Sequence, residues 1–368
     1  MLKSLLIKLR LLSSFIIFVL IIFYFLINIR FFDHDNRIGH LDDDKTRRPR
    51  IKSKSKRIFQ KSLDDFQTLF NITDFRFIIN DSNHCTLSSS STFNRDQPEL
   101  FMIIFVHSAV ENYQKRRMIR ETWANRKQLT IYRSRLVFMI GLPENYSQYP
   151  HPDSDPIKIE NDRFGDIIQG NFIDSYHNLT YKHIMAFKWI VYHCSNAEFI
   201  LKIDDDVFVD LNQLFYHLLG KFGDRPSNLL ACFLVQQPKV ARSYRNKWRV
   251  SFKEYSNYYY PNYCSGWISI MSFDVVQDLY TLHRNRSFLW IDDVFVTGIL
   301  AEELAIKHYD LNKMIYGEEN EFLIESWLQQ DSLSIPPMFY LDHQKPRIKK
   351  IWTKTKQYYR VILNFTID

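Results

Sequence analysis

At 368 residues and 46% hydrophobic side chains, the chain is long enough to bury a large core. Its formal charge of +7 is local: residues 1–61 hold 14 Lys/Arg against 5 Asp, and the remainder holds 34 Lys/Arg against 36 Asp/Glu. A basic folded face for nucleic acid is thereby excluded, and KTRRPRIKSKSKRIFQK reads as a solvated spacer, too charged and too poor in apolar residues to fold on itself.

In chain order, residues 1–10 form a short tail with Lys3, Lys8 and Arg10. LLSSFIIFVLIIFYFLINI, residues 11–29, carries no charge, and at about 1.5 Å per residue it matches a bilayer core of roughly 30 Å. It is longer than the apolar region of a cleaved signal peptide and runs on into large residues. We read it as a transmembrane anchor, with the tail cytosolic by the positive-inside bias and everything beyond it lumenal or extracellular. Six N-x-S/T sequons, at Asn71, Asn80, Asn145, Asn178, Asn285 and Asn364, lie past the anchor, as do all four cysteines. Cys85, Cys194, Cys232 and Cys264 allow three full pairings, which the sequence leaves open; no zinc spacing is present.

Residues 30–97 read as a stem, ending in the Ser-rich DSNHCTLSSSSTFNRDQPE. Residues 98–368 read as one lumenal α/β domain. LFMIIFVHSA (100–109), RLVFMIG (135–141) and AEFILKI (197–203) are continuous apolar runs of the kind buried parallel strands give. Helical stretches stand between them, including DSYHNLTYKHIMAFKWIVYHC, for which Asp174 is the expected N-cap. On its apolar stripe His183 reads as a hydrogen-bonded interior residue. Alternating strands and helices predict a parallel sheet, with ligands at the carboxyl ends of its strands.

The third strand ends in Asp204, Asp205 and Asp206. A solvated turn is the plain alternative, but apolar runs on both sides, FILKI and VFV, argue against one. A calcium EF-hand fails, because the positions that need Gly and Glu hold Val209 and Phe215. Asp204 and Asp206, two apart on a strand, point the same way and suit a hard divalent cation with phosphate oxygens. A second acidic pair, Asp292 and Asp293, opens the amphipathic run VFVTGILAEEL; helix capping or general-base chemistry would each place it there. YYYPNYCSGWISIMS, between the two, suits either a sugar-binding floor or core. Phosphate-binding glycine loops, GxSxG and HExxH are absent.

Five stretches in order, RRMIRETW (116–123), ENDRFGDIIQGNFIDSYHNLTYK (160–182), LKIDDDVFV (201–209), KWRVSFKEYSNYYYPNYCSGW (247–267) and DDVFVTGILA (292–301), resemble the β-1,3-galactosyltransferase family, which includes β-1,3-N-acetylglucosaminyltransferases. The resemblance implies a GT-A fold, a Rossmann-like nucleotide-binding sheet with an acceptor-side subregion. It also implies a UDP-sugar donor, a glycan acceptor on a glycoprotein or glycolipid, Mn²⁺, inversion to a β-1,3 bond, and single-pass type II residence in the Golgi membrane. Carried over, Asp204–Asp206 become the metal-binding motif, with Asp204 and Asp206 as ligands and Asp205 beside the donor. Asp293 becomes the catalytic base, and Arg116, Arg120 and Lys182 lie on the donor side, where cations suit a diphosphate. Two departures are Asp292, where the family usually has Glu, and Ile268–Ser269, where it often has Gly-Tyr; both bear on donor and acceptor preference. The Asn178 sequon, inside the family's NLT motif, is expected to be structural. The rival readings are a membrane-anchored metal-dependent phosphodiesterase and a non-enzymatic lectin-like receptor.

Overall fold

The main sheet has eight strands, and those at its centre are apolar on both faces: every residue of β2 (Leu100–His107) is buried, as are most of β3 (Ser134–Leu142) and β5 (Ala197–Asp204). The computed structural model describes residues 67–85, 100–144, 155–330, 334–342 and 347–362. The predicted tail, anchor and much of the stem lie outside them, and among the described residues no helix is long and apolar enough to cross a membrane.

The remaining strands are β1 (Phe77–Ile79), β4 (Ile167–Ile173), β6 (Val207–Val209), β7 (Leu230–Val235), β8 (Tyr263–Ser272), β9 (His308–Asp310), β10 (Ile315–Tyr316) and β11 (Phe339–Leu341). The sheet order is β1-β4-β3-β2-β5-β8-β7-β9, and β10-β11-β6 make a small second sheet. β2, β3, β4 and β5 run parallel, as expected. The all-parallel expectation is corrected beyond β5: β8 is antiparallel to both β5 and β7, and β1 is antiparallel to β4, so the fold is a mixed α/β sheet.

β2 lies between β3 and β5, and the chain winds outward on one side before returning to the other. That is a topological switch point, where a crevice opens beyond the strand ends. His107 closes β2 and pairs in register with Asp204, the last residue of β5. α1 (Tyr113–Glu121), α2 (Arg126–Ile131), α3 (Pro156–Phe164), α4 (Leu179–His193), α5 (Leu211–Phe222), α6 (Phe273–His283) and α7 (Glu321–Gln329) lie between strands, and α8 (Ile348–Ile362) follows β11.

Asp174 does not cap α4, which begins five residues later behind a 3-10 turn at Tyr176–Asn178. It serves a longer-range contact. A Cβ at Gly141 would sit 2.7 Å from the Phe172 carbonyl oxygen and 2.9 Å from the Asp174 nitrogen, so only glycine lets β3 approach this closely. Gly141 N–H then donates to Asp174 at 2.9 Å. The open cysteine pairing resolves as Cys85–Cys194 and Cys232–Cys264, bonds that persist in an oxidising compartment.

Candidate active site

β5 delivers Lys202 and Asp204 to the same side, two residues apart. The buried Lys202 ammonium donates to Asp204 at 2.6 Å and also to the Gly266 carbonyl on β8. Gly266 N–H in turn donates to Asp293 at 3.1 Å, and Val294 N–H donates to its other oxygen at 2.8 Å. The two acidic stretches predicted from the sequence are therefore joined through one lysine and one glycine. Lys202 was missed; a lysine inside an otherwise apolar strand was the available signal. Burial works against its charge, but Asp204, Asp292 and Asp293 outweigh that and raise its pKa.

The three aspartates divide. Asp204 keeps 34% of its side chain exposed and Asp206 keeps 21%. Burial pushes Asp204 up to about 6, Lys202 pulls it down, and the negative charge of Asp206 raises it further. Carboxylates that disfavour one another's ionisation suit a divalent cation between them, so Asp204 and Asp206 fit a metal role. Asp205 turns inward, accepting from Ser108 and Asn112 at 2.8 Å each and from Lys115 at 2.9 Å. It ties β5 to the loop between β2 and α1.

Asp293 precedes a π-helical segment, Val294–Leu300, a form enriched at functional sites. Burial and the charge of Asp292 push its carboxyl up to about 7. Asp292 moves the opposite way. His183 hydrogen-bonds it at 2.9 Å and Lys202 is nearby, and together they outweigh burial and lower its pKa. A carboxylate only accepts, so His183 Nδ1 carries the proton. His107 stands 3.9 Å from the same oxygen. His107, His183 and Asp292 offer donor atoms within 4.8 Å of one another and could hold a metal ion. Burial holds His107 well below the ordinary imidazole range, and the Lys202 and Lys182 charges add to it; those cations oppose a second cation there.

Arg116, Arg120 and Lys182 stand near the end of β2, but the structure turns each into the fold. Arg116 has no exposed surface; it pairs with Glu160 at 2.6 Å and donates to Ser108, Ala109 and Val110. Arg120 binds Asp166 and Glu160, each at 2.7 Å. Lys182 donates to the Ser108 carbonyl at 2.5 Å and to Asp174 at 2.6 Å. Arg116 and Lys182 thereby fix the 108–110 loop that supports Asp205, while Arg120 ties α1 to α3 and to Asp166.

Tyr260 and Tyr263 are raised mainly by burial, Tyr260 to about 12, and both also sense the Asp293 charge, so the aromatic stretch borders Asp293. Tyr176 stands beside Trp248, and burial first, then the charges of Asp293, Asp292 and Asp204, raise its pKa.

The galactosyltransferase family model matches residues 114–312. β-1,3-Galactosyltransferase 1 of mouse and of human are each 31% identical to this chain over 241 residues, 64% of this chain and 67% of theirs. Human β-1,3-galactosyltransferase 5 is 31% identical over 212 residues, 58% of this chain and 66% of its own. Among solved structures, a glycosyltransferase involved in the glycosylation of the major capsid of PBCV-1 overlaps 69% of this chain and 98% of its own, with a TM-score of 0.33 and 10% identity.

Proposed function

The chain belongs to the galactosyltransferase family, and we propose that it moves a hexose, galactose before N-acetylglucosamine, from a UDP-sugar to a glycan hydroxyl with inversion, making a β-1,3 bond on a GT-A scaffold. The observation that carries this reading is the Lys202–Gly266 link, which brings Asp293 and the metal-suited pair Asp204 and Asp206 to one end of the sheet. A solvated turn or a helix cap would need no such link.

In this mechanism Asp293 is the general base. A carboxyl raised to about 7 is basic enough to accept a proton near neutrality yet ionised in useful amount. It takes the acceptor hydroxyl proton as that oxygen bonds to the anomeric carbon; the bond from that carbon to the diphosphate oxygen breaks, and UDP leaves. Such assistance typically contributes about 10²–10⁴-fold. Asp204 and Asp206 would hold Mn²⁺, which when bound supplies charge neutralisation for the departing diphosphate. Asp205 fixes the strand end through Ser108, Asn112 and Lys115. Arg116 and Lys182 act here by shaping the donor-side loop, and Arg120 by holding Glu160 and Asp166 behind it. Anchoring by residues 11–29 in the Golgi membrane, with the domain lumenal, completes the proposal.

The test is incubation of the full chain in detergent with Mn²⁺ and a panel of UDP-sugars and glycan acceptors, with linkage analysis of the product. A β-1,3-linked hexose product is expected. Acceptor-independent release of nucleotide as the sole activity would favour the phosphodiesterase, and sugar binding indifferent to UDP and divalent cation would favour a lectin.

A further inference from the structure

Residues 236–262, the connection from β7 to β8, hold six Lys/Arg and a single acid, Glu254, although the chain beyond residue 61 is nearly charge-balanced. This segment is built and fixed. Arg242 staples it, donating to the carbonyls of Val250, Tyr255 and Asn257 at 2.6–2.8 Å and stacking over Phe252 at 4.0 Å. Glu254 accepts from the Ser251 N–H and hydroxyl and lies beside Trp290. Lys239, Arg245, Lys247 and Lys253 are all exposed, and among the described residues none of them lies in an ion pair. Lys247 sits over the Trp248 ring at 4.2 Å and Arg249 over the Tyr244 ring at 3.9 Å.

The segment reaches the candidate base. Trp248, 48% exposed, stands beside Tyr176. The Tyr176 ring lies 5.8 Å from Trp290, two residues before Asp292. Half-exposed aromatic side chains near a candidate general base suit a sugar, and the exposed cations Arg245, Lys247 and Lys253, outside any ion pair among the described residues, suit an anionic ligand.

We propose that residues 239–253 form the acceptor side of the site and select glycans carrying an anionic group, a sulfate, phosphate or carboxylate, close to the attacking hydroxyl. This rests on the transferase reading above. Arg245, Lys247 and Lys253 meet the anion, and Trp248 with Tyr176 stacks the sugar.

The experiment uses the full chain in detergent with Mn²⁺ and UDP-galactose. Acceptors are matched sets: one neutral oligosaccharide, and the same oligosaccharide bearing sulfate, phosphate or a uronic carboxylate. The expected result is a kcat/KM for at least one anionic acceptor about tenfold or more above the neutral one, given that exposed ion pairs contribute up to about 1 kcal/mol each. That ratio should collapse in Arg245→Gln/Lys247→Gln/Lys253→Gln, fall in Arg245→Glu alone, and shrink as salt rises to about 0.5 M. Unfolding curves of the variants should match wild type, since these side chains are exposed. Equal use of neutral and anionic acceptors would overturn the proposal, as would a triple variant in which the KM for UDP-galactose moves and the acceptor ratio does not. Absence of transfer to every acceptor would instead bring down the transferase reading itself.

Discussion

Replacing Asp293 by Asn should abolish transfer and at the same time make the folded chain more stable above neutral pH. In the unfolded chain Asp293 titrates at its ordinary 3.8, and in the fold at about 7. Between those values the unfolded chain releases this proton while the folded chain keeps it. The group's contribution to stability is therefore complete below pH 3.8 and is lost as pH rises toward 7, at about 1.4 kcal/mol per pH unit. The full loss is at most roughly 4 kcal/mol, less where solvent reaches the carboxylate. Asn escapes this loss. It accepts with only one oxygen, however, and gives up one of the two hydrogen bonds from Gly266 and Val294, about 1 kcal/mol at every pH. The variant should therefore be equal to or slightly weaker than wild type near pH 4 and about 1–3 kcal/mol stronger at pH 8. Urea unfolding of both chains in detergent with a chelator, at each pH from 4 to 8, measures the difference. A difference that does not change with pH would refute the raised ionisation of Asp293, and with it the reason for choosing this residue as the base.

Wild-type kcat/KM should fall as pH drops through about 7, because the protonated carboxyl cannot accept. Asp292→Asn removes the adjacent charge that helps raise Asp293, so the acid limb of that profile should move to lower pH; an unmoved limb would count against the coupling. Asp206→Asn should weaken Mn²⁺-dependent UDP binding about tenfold or more by calorimetry, and an unchanged affinity would remove Asp206 from the metal site. Glu160→Gln leaves the fully buried Arg116 without its carboxylate and should cost about 3–5 kcal/mol in urea unfolding; a loss under about 1 kcal/mol would show that Arg116 finds other partners.

Three of the four parallel strands were legible because β2, β3 and β5 are apolar on both faces, whereas β4, IIQGNFI, is broken by Gln169, Gly170 and Asn171 and gave no such run. The reversal at β8 was not legible either, since YCSGWISIMS carries no mark of direction and arrives through a long connection. Residue type and motif single out Asp204 and Asp293 as candidates. The buried pairings of Arg116, Arg120 and Lys182 are not visible there, because their partners, Glu160, Asp166 and Asp174, are distant in the chain or unremarkable beside it. The same limit hid Lys202, whose place between two carboxylate groups exists only once β8 lies against β5.

The Cys232–Cys264 bond clasps the two ends of the basic connection, and Gly266, which holds Asp293, stands two residues past the second cysteine. One covalent link thus holds the ends of that connection and the strand position that carries Asp293 together. Chain made in a reducing cytosol would lack that clasp, and preparations from such hosts should be poorly active until the bond is allowed to form.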